Sequence, residues 1–489
     1  MLYHGPTMDA AWPILVTLIL YNLLLLGIGA FMSRRTHDEE DYYLGGRRLG
    51  PLVASISAAA SSSSAWSLLG VSGLAFSVGV SSVWILPGCV GGFAIQWYLL
   101  ANPVRALSRS SKALTLTDLL TGDDRGPWGR RLRILASAVI LVFFTLYVAA
   151  QFDAAGESLE RAFAGSALSL DRNLAVIVGG AVVLIYTLMG GFWAVSATDT
   201  LQGLLMALTA LLLPVIAFAE LGWSGFTDGL AKVPIAGFTS VFQGLGWASA
   251  VGFVLGILGI GLNYPGQPHV VNRFMALGGG DAELRRARRI AMAWAILVYG
   301  GMILVGLCGR VLLGDLGNHE QVFVASARRL LHPVLAGVMI AAVLSAIMST
   351  ADSQLLVAAS AVTHDLRRQG PRPALRMAIH RWVVCLVSLA ALALALAHDE
   401  SIFRRVLFAF SAMGASFGPL LIVRILRGRV AGGWAFLSMS SGLVFVIFAR
   451  SVLSVGPWAG AAERVLPLIP ATVFAVLGAR AAVSETAEE

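Results

Sequence analysis

Thirteen apolar stretches, each long enough to cross a bilayer, run through this chain, near 12–32, 51–75, 79–101, 132–153, 174–194, 199–219, 248–268, 288–312, 333–361, 380–398, 402–424, 432–451 and 461–480. No other feature limits the fold so severely. In hydrocarbon each backbone N–H and C=O must find a partner within the protein, so segments of this kind are laid out as helices. Of the 489 residues, 57% are hydrophobic and 13% charged, a balance foreign to globular enzymes. The expectation is an all-α polytopic membrane protein with about 13 transmembrane helices. The first stretch has no basic segment before it and no small-residue cleavage site after it, so it reads as a retained helix.

Basic residues set the expected orientation. With the N-terminus outside, the inner loops hold Arg34, Arg35, Arg47 and Arg48, the cluster at 105–133, Arg273 with Arg285–Arg289, Arg367–Arg381, Arg424–Arg429 and Arg480. These are most of the 35 Lys and Arg, which predicts N-out, C-in. The net charge of +8 follows from that bias and calls for no nucleic-acid partner. Cys89, Cys308 and Cys385 lie in apolar segments at unrelated spacings, which gives neither a disulfide framework nor a zinc pattern. The chain has no G-x-x-x-x-G-K-[ST] sequence, so an ATP-driven pump with its own P-loop is excluded. No nucleophile–base arrangement or cofactor motif can be assembled, and an enzyme is not expected. Transport would have to draw on a gradient.

Two stretches are interrupted. Ser55–Trp66, SISAAASSSSAW, carries four consecutive serines, whose hydroxyls can support an unwound turn or simply allow close packing. Gly256–His269, GILGIGLNYPGQPH, holds four glycines, two prolines, Asn263 and Gln267, which argues against a continuous helix. Five stretches separate the breaks, so a second set of five would be inverted relative to the first, the layout of alternating-access transporters with a midplane site. In the ninth stretch Ser345, Ser349, Asp352 and Ser353 fall on one helical face. That face is either a cation or substrate pathway, or serines for close packing with Asp352 paired to an Arg or a backbone group. Counted from Pro333, Asp352 lies roughly 28 Å along a helix, in the inner part of the membrane. Asp199 begins the sixth stretch, where it is a cation ligand or an N-cap.

Several further segments carry a family pattern: DEEDYYLGGRRLG at 38–50, SAAASSSSAW at 57–66, ALTLTDLLTG at 113–122 and LVFFTLY at 141–147. GGFWAVSATDTLQ at 190–202, GQPHVVNRFMA at 266–276, RRIAMAW at 288–294 and LSAIMSTADSQLL at 344–356 follow in order. Over essentially its full length the chain resembles the sodium:solute symporter family, most of all its bacterial sodium/proline branch. The resemblance implies a LeuT-type fold, with an added N-terminal helix and loop at 1–50, a first five-helix repeat at 51–220, a second, inverted repeat at 221–425 and two C-terminal helices at 426–489. It also implies a sodium site from the backbone oxygens of Ala60, Ser63 and Ala346 and the hydroxyls of Ser349 and Thr350. A second sodium site, present in some members, would fall on Asp199, Ser349, Asp352 and Ser353.

For substrate the resemblance points to Ser62, Ser64, Ala65, Trp66, Tyr147, Gln151, Ile260, Asn263, Tyr264 and Gln267. Trp66 and Tyr147 are equally readable as packing or interface aromatics. The chain departs from the proline symporters at three of these positions, with Ser62 where they have Asp, Ala65 for Gly and Ile260 for Trp. The first change removes a negative charge near the sodium site, and the last removes a flat lid over a ring-shaped solute. Asp352, where those relatives usually carry Ser, would restore the charge from another direction. The expected function is sodium-coupled import of a small organic solute, proline or a related small amino acid. A monocarboxylate or other solute is the alternative within transport, and a membrane sensor the alternative outside it. The sensor is disfavoured because the chain runs only to Glu489, soon after its last apolar stretch.

Overall fold

A computed structural model describes residues 8–33, 39–122, 124, 126–188, 191–366, 373–397 and 401–488. Arg34, Arg35, Arg125, Arg367, Arg368 and Arg372 of the expected inner loops lie outside the described residues. The helices that position the site are α1 (Met8–Ser33), α2 (Pro51–Ala65), α3 (Val71–Val78), α4 (Ile85–Ala94), α5 (Pro127–Phe163), α6 (Arg172–Thr187), α7 (Phe192–Ala231) and α8 (Trp247–Leu262). They continue with α9 (Pro268–Ala276), α10 (Asp281–Leu313), α11 (Pro333–Ser360), α12 (Pro373–Ala397), α13 (Ile402–Arg427), α14 (Gly432–Val452) and α15 (Leu468–Glu488).

Eleven helices among the described residues are long and apolar enough to cross a membrane, fewer than the thirteen stretches predict. The second and third stretches form one helical run, Pro51–Ser111, and α6 has only 16 residues. Within that run the chain turns at Gly79, with φ +70° and ψ −142°. A Cβ there would lie 2.0 Å from the Phe238 carbonyl oxygen, so both conformation and contact demand glycine.

Burial orders the helices. In α11 and α13 the most apolar stretch is 83% and 89% buried, against 22% in α1 and 33% in α7 and α12. The outer helices turn large apolar side chains outward, among them Trp12, Leu20 and Phe31 of α1, Leu208 and Val215 of α7, and Leu386 and Leu389 of α12. Such a surface suits lipid, whereas a helix buried all round is a core element. The polar stripe therefore sits on one of the innermost helices.

Both interruptions exist, and both are narrower than the sequence predicts. In α2 only Ser64 leaves helical geometry, at φ +51° and ψ −173°, and a π-helical turn follows at Trp66–Gly70. Near the second interruption, α8 runs through all three glycines at 256, 259 and 261. The break is confined to Asn263, a 3-10 turn at Tyr264–Gly266 and the extended Gln267. The glycines act instead as a packing surface. A Cβ on Gly261 would stand 2.1 Å from the Gly88 carbonyl oxygen of α4, so the two backbones cross in direct contact. The two broken regions are also tied end to end. Leu49, just before α2, pairs in parallel with Leu277, just after α9, through Leu49 N–H to Ala276 O (3.1 Å) and Gly278 N–H to Leu49 O (2.9 Å).

Candidate functional site

A non-glycine residue at positive φ costs about 1–3 kcal/mol, and an unwound turn at membrane depth leaves backbone groups to be satisfied. At Ser64 the surroundings supply what is needed. The Tyr147 hydroxyl donates to Ser64 Oγ (3.2 Å), which also accepts from Trp66 N–H (3.3 Å). Ala65 N–H donates to Gln151 Oε1 (3.0 Å), and Ser67 Oγ donates to the Ser64 carbonyl (2.9 Å). Tyr147 and Gln151 of α5 thus bond the turn directly.

From Ser63 the network continues across the molecule. Ser63 Oγ lies 3.3 Å from the Tyr299 hydroxyl of α10, which lies 2.8 Å from that of Tyr264 in the second break. The Trp66 ring packs on Tyr299 and Phe403, each at 5.9 Å between centroids. Two buried N–H groups beside this turn, Trp66 Nε1 and Gln151 Nε2, have no hydrogen-bond partner. The hydroxyl of Ser62 is turned back on its own helix, to the Ala59 carbonyl (3.0 Å).

The residues of the second break divide. Gln267 Nε2 bonds the carbonyls of Asn263 (3.1 Å) and Phe410 (2.9 Å) and leaves Oε1 free of partners. Asn263 turns its amide nitrogen to the carbonyls of Gly259 and Arg464, both at 2.9 Å, toward the C-terminal helices. Ile260 is buried, with no side-chain polar group to offer. Ser62–Trp66, Tyr147, Gln151 and Tyr264 are therefore joined into one neighbourhood, whereas the side-chain bonds of Asn263 lead away from it.

Ala60, Ser63, Ala346, Ser349 and Thr350 are all buried where α2 packs on α11. Thr350 Oγ1 donates to the Ser61 carbonyl (3.0 Å), joining the broken helix to the stripe. The same carbonyl lies 3.1 Å from His269 Nε2 of α9. Ser349 Oγ donates within its own helix, to Ala346 O (3.3 Å), and Ser345 bonds the Tyr21 hydroxyl of α1.

Farther along α11 stands an arrangement that the sequence reading misplaces. Arg273 is fully buried rather than part of an inner loop. Its guanidinium donates to Asp199 Oδ2 (2.9 Å), Ser57 Oγ (3.1 Å), the His269 carbonyl and Ser353 Oγ, and lies 5.1 Å from the Phe192 ring centroid. Ser57 Oγ donates to the same Asp199 oxygen at 2.7 Å. The N-cap of α7 is Gly191, eight residues before Asp199, so the capping alternative for Asp199 falls. Asp199 Oδ1 and both oxygens of Asp352 are buried without a hydrogen-bond partner. Of the four residues Asp199, Ser349, Asp352 and Ser353, two already hold donors of Arg273. Arg273, Ser57, Tyr299 and His269 were missed as contributors, although a lone Arg in the GQPHVVNRFMA segment was the visible signal.

Comparison with known proteins places these features in a family. Residues 42–442 match the sodium:solute symporter family model. The chain is 35% identical to a sodium/proline symporter of Escherichia coli (strain K12), over 96% of this chain and 93% of that one. It is 36% identical to the high-affinity proline transporter PutP of Bacillus subtilis (strain 168), over 88% and 94% of the two chains. Among solved structures, a sodium-coupled sialic acid symporter in a substrate-bound outward-open state superposes with a TM-score of 0.76 at 20% identity, covering 95% of this chain and 98% of that one. Mhp1, a nucleobase-cation-symport-1 family transporter, gives 0.59 at 14% identity, covering 92% and 96%. At those identities the likeness concerns the fold, and the chain has the expected all-α, LeuT-type architecture.

Proposed function

This chain belongs to the sodium:solute symporter family, and on that premise we propose that it imports proline, or a related small amino acid, together with sodium by alternating access. The observation that carries the reading is the Ser64 turn, which draws on both proposed sites at once. On one side, the backbone oxygens of Ala60, Ser63 and Ala346 with the hydroxyls of Ser349 and Thr350 form the proposed sodium site. On the other, Trp66 Nε1 and Gln151 Nε2 are buried donors in need of an acceptor, which a solute carboxylate supplies. Sodium that bridges α2 and α11 holds the turn in the shape that solute needs, and solute favours sodium in return by linkage.

One charge crossing 100 mV contributes about 2.3 kcal/mol, and a tenfold sodium gradient about 1.4. Together they support roughly several-hundred-fold accumulation per ion. The second proposed sodium position, at Asp199, Ser349, Asp352 and Ser353, would require Arg273 to yield its place. The proposed repeats span 51–220 and 221–425, with additions at 1–50 and 426–489, and the proposed orientation in the bacterial inner membrane is N-out, C-in. The lipid bilayer, sodium and a small molecule are the proposed partners. Ser62, Ala65 and Ile260, which depart from the proline symporters, favour a second reading in which the solute is another small amino acid or a monocarboxylate. Uptake of labelled L-proline into proteoliposomes under an imposed sodium gradient, with unlabelled amino acids and carboxylates as competitors, tests both. Flux that ignores the sodium gradient defeats the coupling, and competition by a carboxylate but not by proline selects the second reading.

A further inference from the structure

The segment between α4 and α5 and the end of α11 meet in a group of side chains that transport, as described above, does not use. Asp118 lies on the short helix Leu116–Thr121, and His364 and Asp365 lie in the π-helical turn Ala361–Asp365 that ends α11. One ligand atom from each of the three lies within 4.8 Å of the others. His364 Nε2 is 2.9 Å from Asp118 Oδ2, and Thr115 Oγ1 donates to Asp365 Oδ1 (2.7 Å). Thr117, 1% exposed, stands beside them with its hydroxyl directed at the Asp365 carboxylate.

One imidazole nitrogen and two carboxylate oxygens, with a hydroxyl beside them, make a mixed nitrogen–oxygen set. Divalent transition ions of the zinc class take such a set with water completing the shell, whereas magnesium and calcium prefer oxygen alone. The two Asp carboxylates supply negative charge for a dication, with Arg133 also within electrostatic reach of His364. We propose that Asp118, His364 and Asp365 form a divalent transition-metal site. The ion replaces the proton on His364 Nε2, which leaves to solvent, and the imidazole then bonds metal instead of Asp118. Because Asp365 and His364 end the helix that carries Ser349 and Thr350, metal there fastens the 113–121 segment to α11 and slows turnover.

Calorimetric titration of the purified full-length protein with zinc chloride tests the site, compared across wild type, His364→Gln and Asp365→Asn. Loss of one equivalent, or at least a tenfold weaker association, in both variants is the expected result. Unchanged stoichiometry and affinity overturn it. If a variant does not fold, cobalt(II) added to wild type decides. A visible ligand-field band of a low-coordinate site, erased by prior zinc, supports the proposal, and a spectrum of hexaaqua cobalt alone overturns it. In proteoliposomes, zinc is expected to slow sodium-driven uptake by wild type and not by His364→Gln. Equal slowing of both assigns the effect elsewhere.

Discussion

Replacing Arg273 with Met is the sharpest perturbation that the structure offers. The guanidinium is fully buried and bonds Asp199, Ser57, Ser353 and the His269 carbonyl, joining α2, α7, α9 and α11. Met fills much of the same volume, so the change is mainly electrostatic. Removing one partner of a buried ion pair leaves the other charge uncompensated, at a cost of about 3–5 kcal/mol. Here the strain is aggravated because Asp352 stands beside Asp199, and neither oxygen of Asp352 has a partner. The expected shift in the unfolding equilibrium is roughly a hundredfold to several thousandfold.

Thermal unfolding of the purified protein in one detergent, at fixed sodium, reads the effect, and a double-mutant cycle assigns it. Asp199→Asn alone strands the guanidinium and is also expected to destabilise strongly. The combination Asp199→Asn with Arg273→Met removes both charges and is expected to recover at least about 2 kcal/mol of the summed losses. Sodium is expected to stabilise Arg273→Met more than wild type, since a small cation can enter the vacated place. Single effects under about 1 kcal/mol, or losses that simply add, would mean that Arg273 and Asp199 are not a coupled buried pair.

Thr350→Ala removes the hydrogen bond to Ser61 O and a proposed sodium ligand, so the sodium concentration for half-maximal uptake is expected to rise about five- to tenfold, a loss of roughly 1–1.4 kcal/mol. Uptake with an unaltered sodium dependence contradicts that assignment. Gly261→Ala forces a Cβ to 2.1 Å from a backbone oxygen and is expected to cost about 1–3 kcal/mol of thermal stability. Gly300→Ala, in α10 with open space around it, is expected to gain about 0.5–1 kcal/mol, and equal behaviour of the two glycine variants would contradict the packing account. Gln151→Leu withdraws the acceptor from Ala65 N–H and a free donor from the solute site, so the KM for proline is expected to rise about tenfold, or about 1.4 kcal/mol, at saturating sodium. A KM that stays put while only stability falls would confine Gln151 to a structural role.

Much of this protein was legible without coordinates. The ninth apolar stretch was expected at 333–361, and α11 runs Pro333–Ser360. Ser64 lies inside the first expected interruption and residues 263–267 inside the second. Hydropathy over some twenty residues, serine runs and Gly/Pro content are local properties, and in a membrane they translate directly into helix or break. They also placed Asp199 and Asp352 in costly positions, because a carboxylate within an apolar stretch is conspicuous from its neighbours alone.

Pairing is another matter. Thr350 meets Ser61 across 289 positions of chain, and Asp199 meets Arg273 across 74. Charge counting put Arg273 in an inner loop with the other arginines, since sequence cannot distinguish an Arg facing solvent from one that has found a carboxylate. The glycines of 256–261 looked like helix breakers, yet they let two helices touch, a role that only the facing backbone of Gly88 reveals. A set of membrane helices interrupted at two points could be read from the residues alone, because lipid penalises every unsatisfied group locally. Which oxygens the interruptions share, and that the Arg273 guanidinium already sits beside Asp199, follow from how distant helices pack.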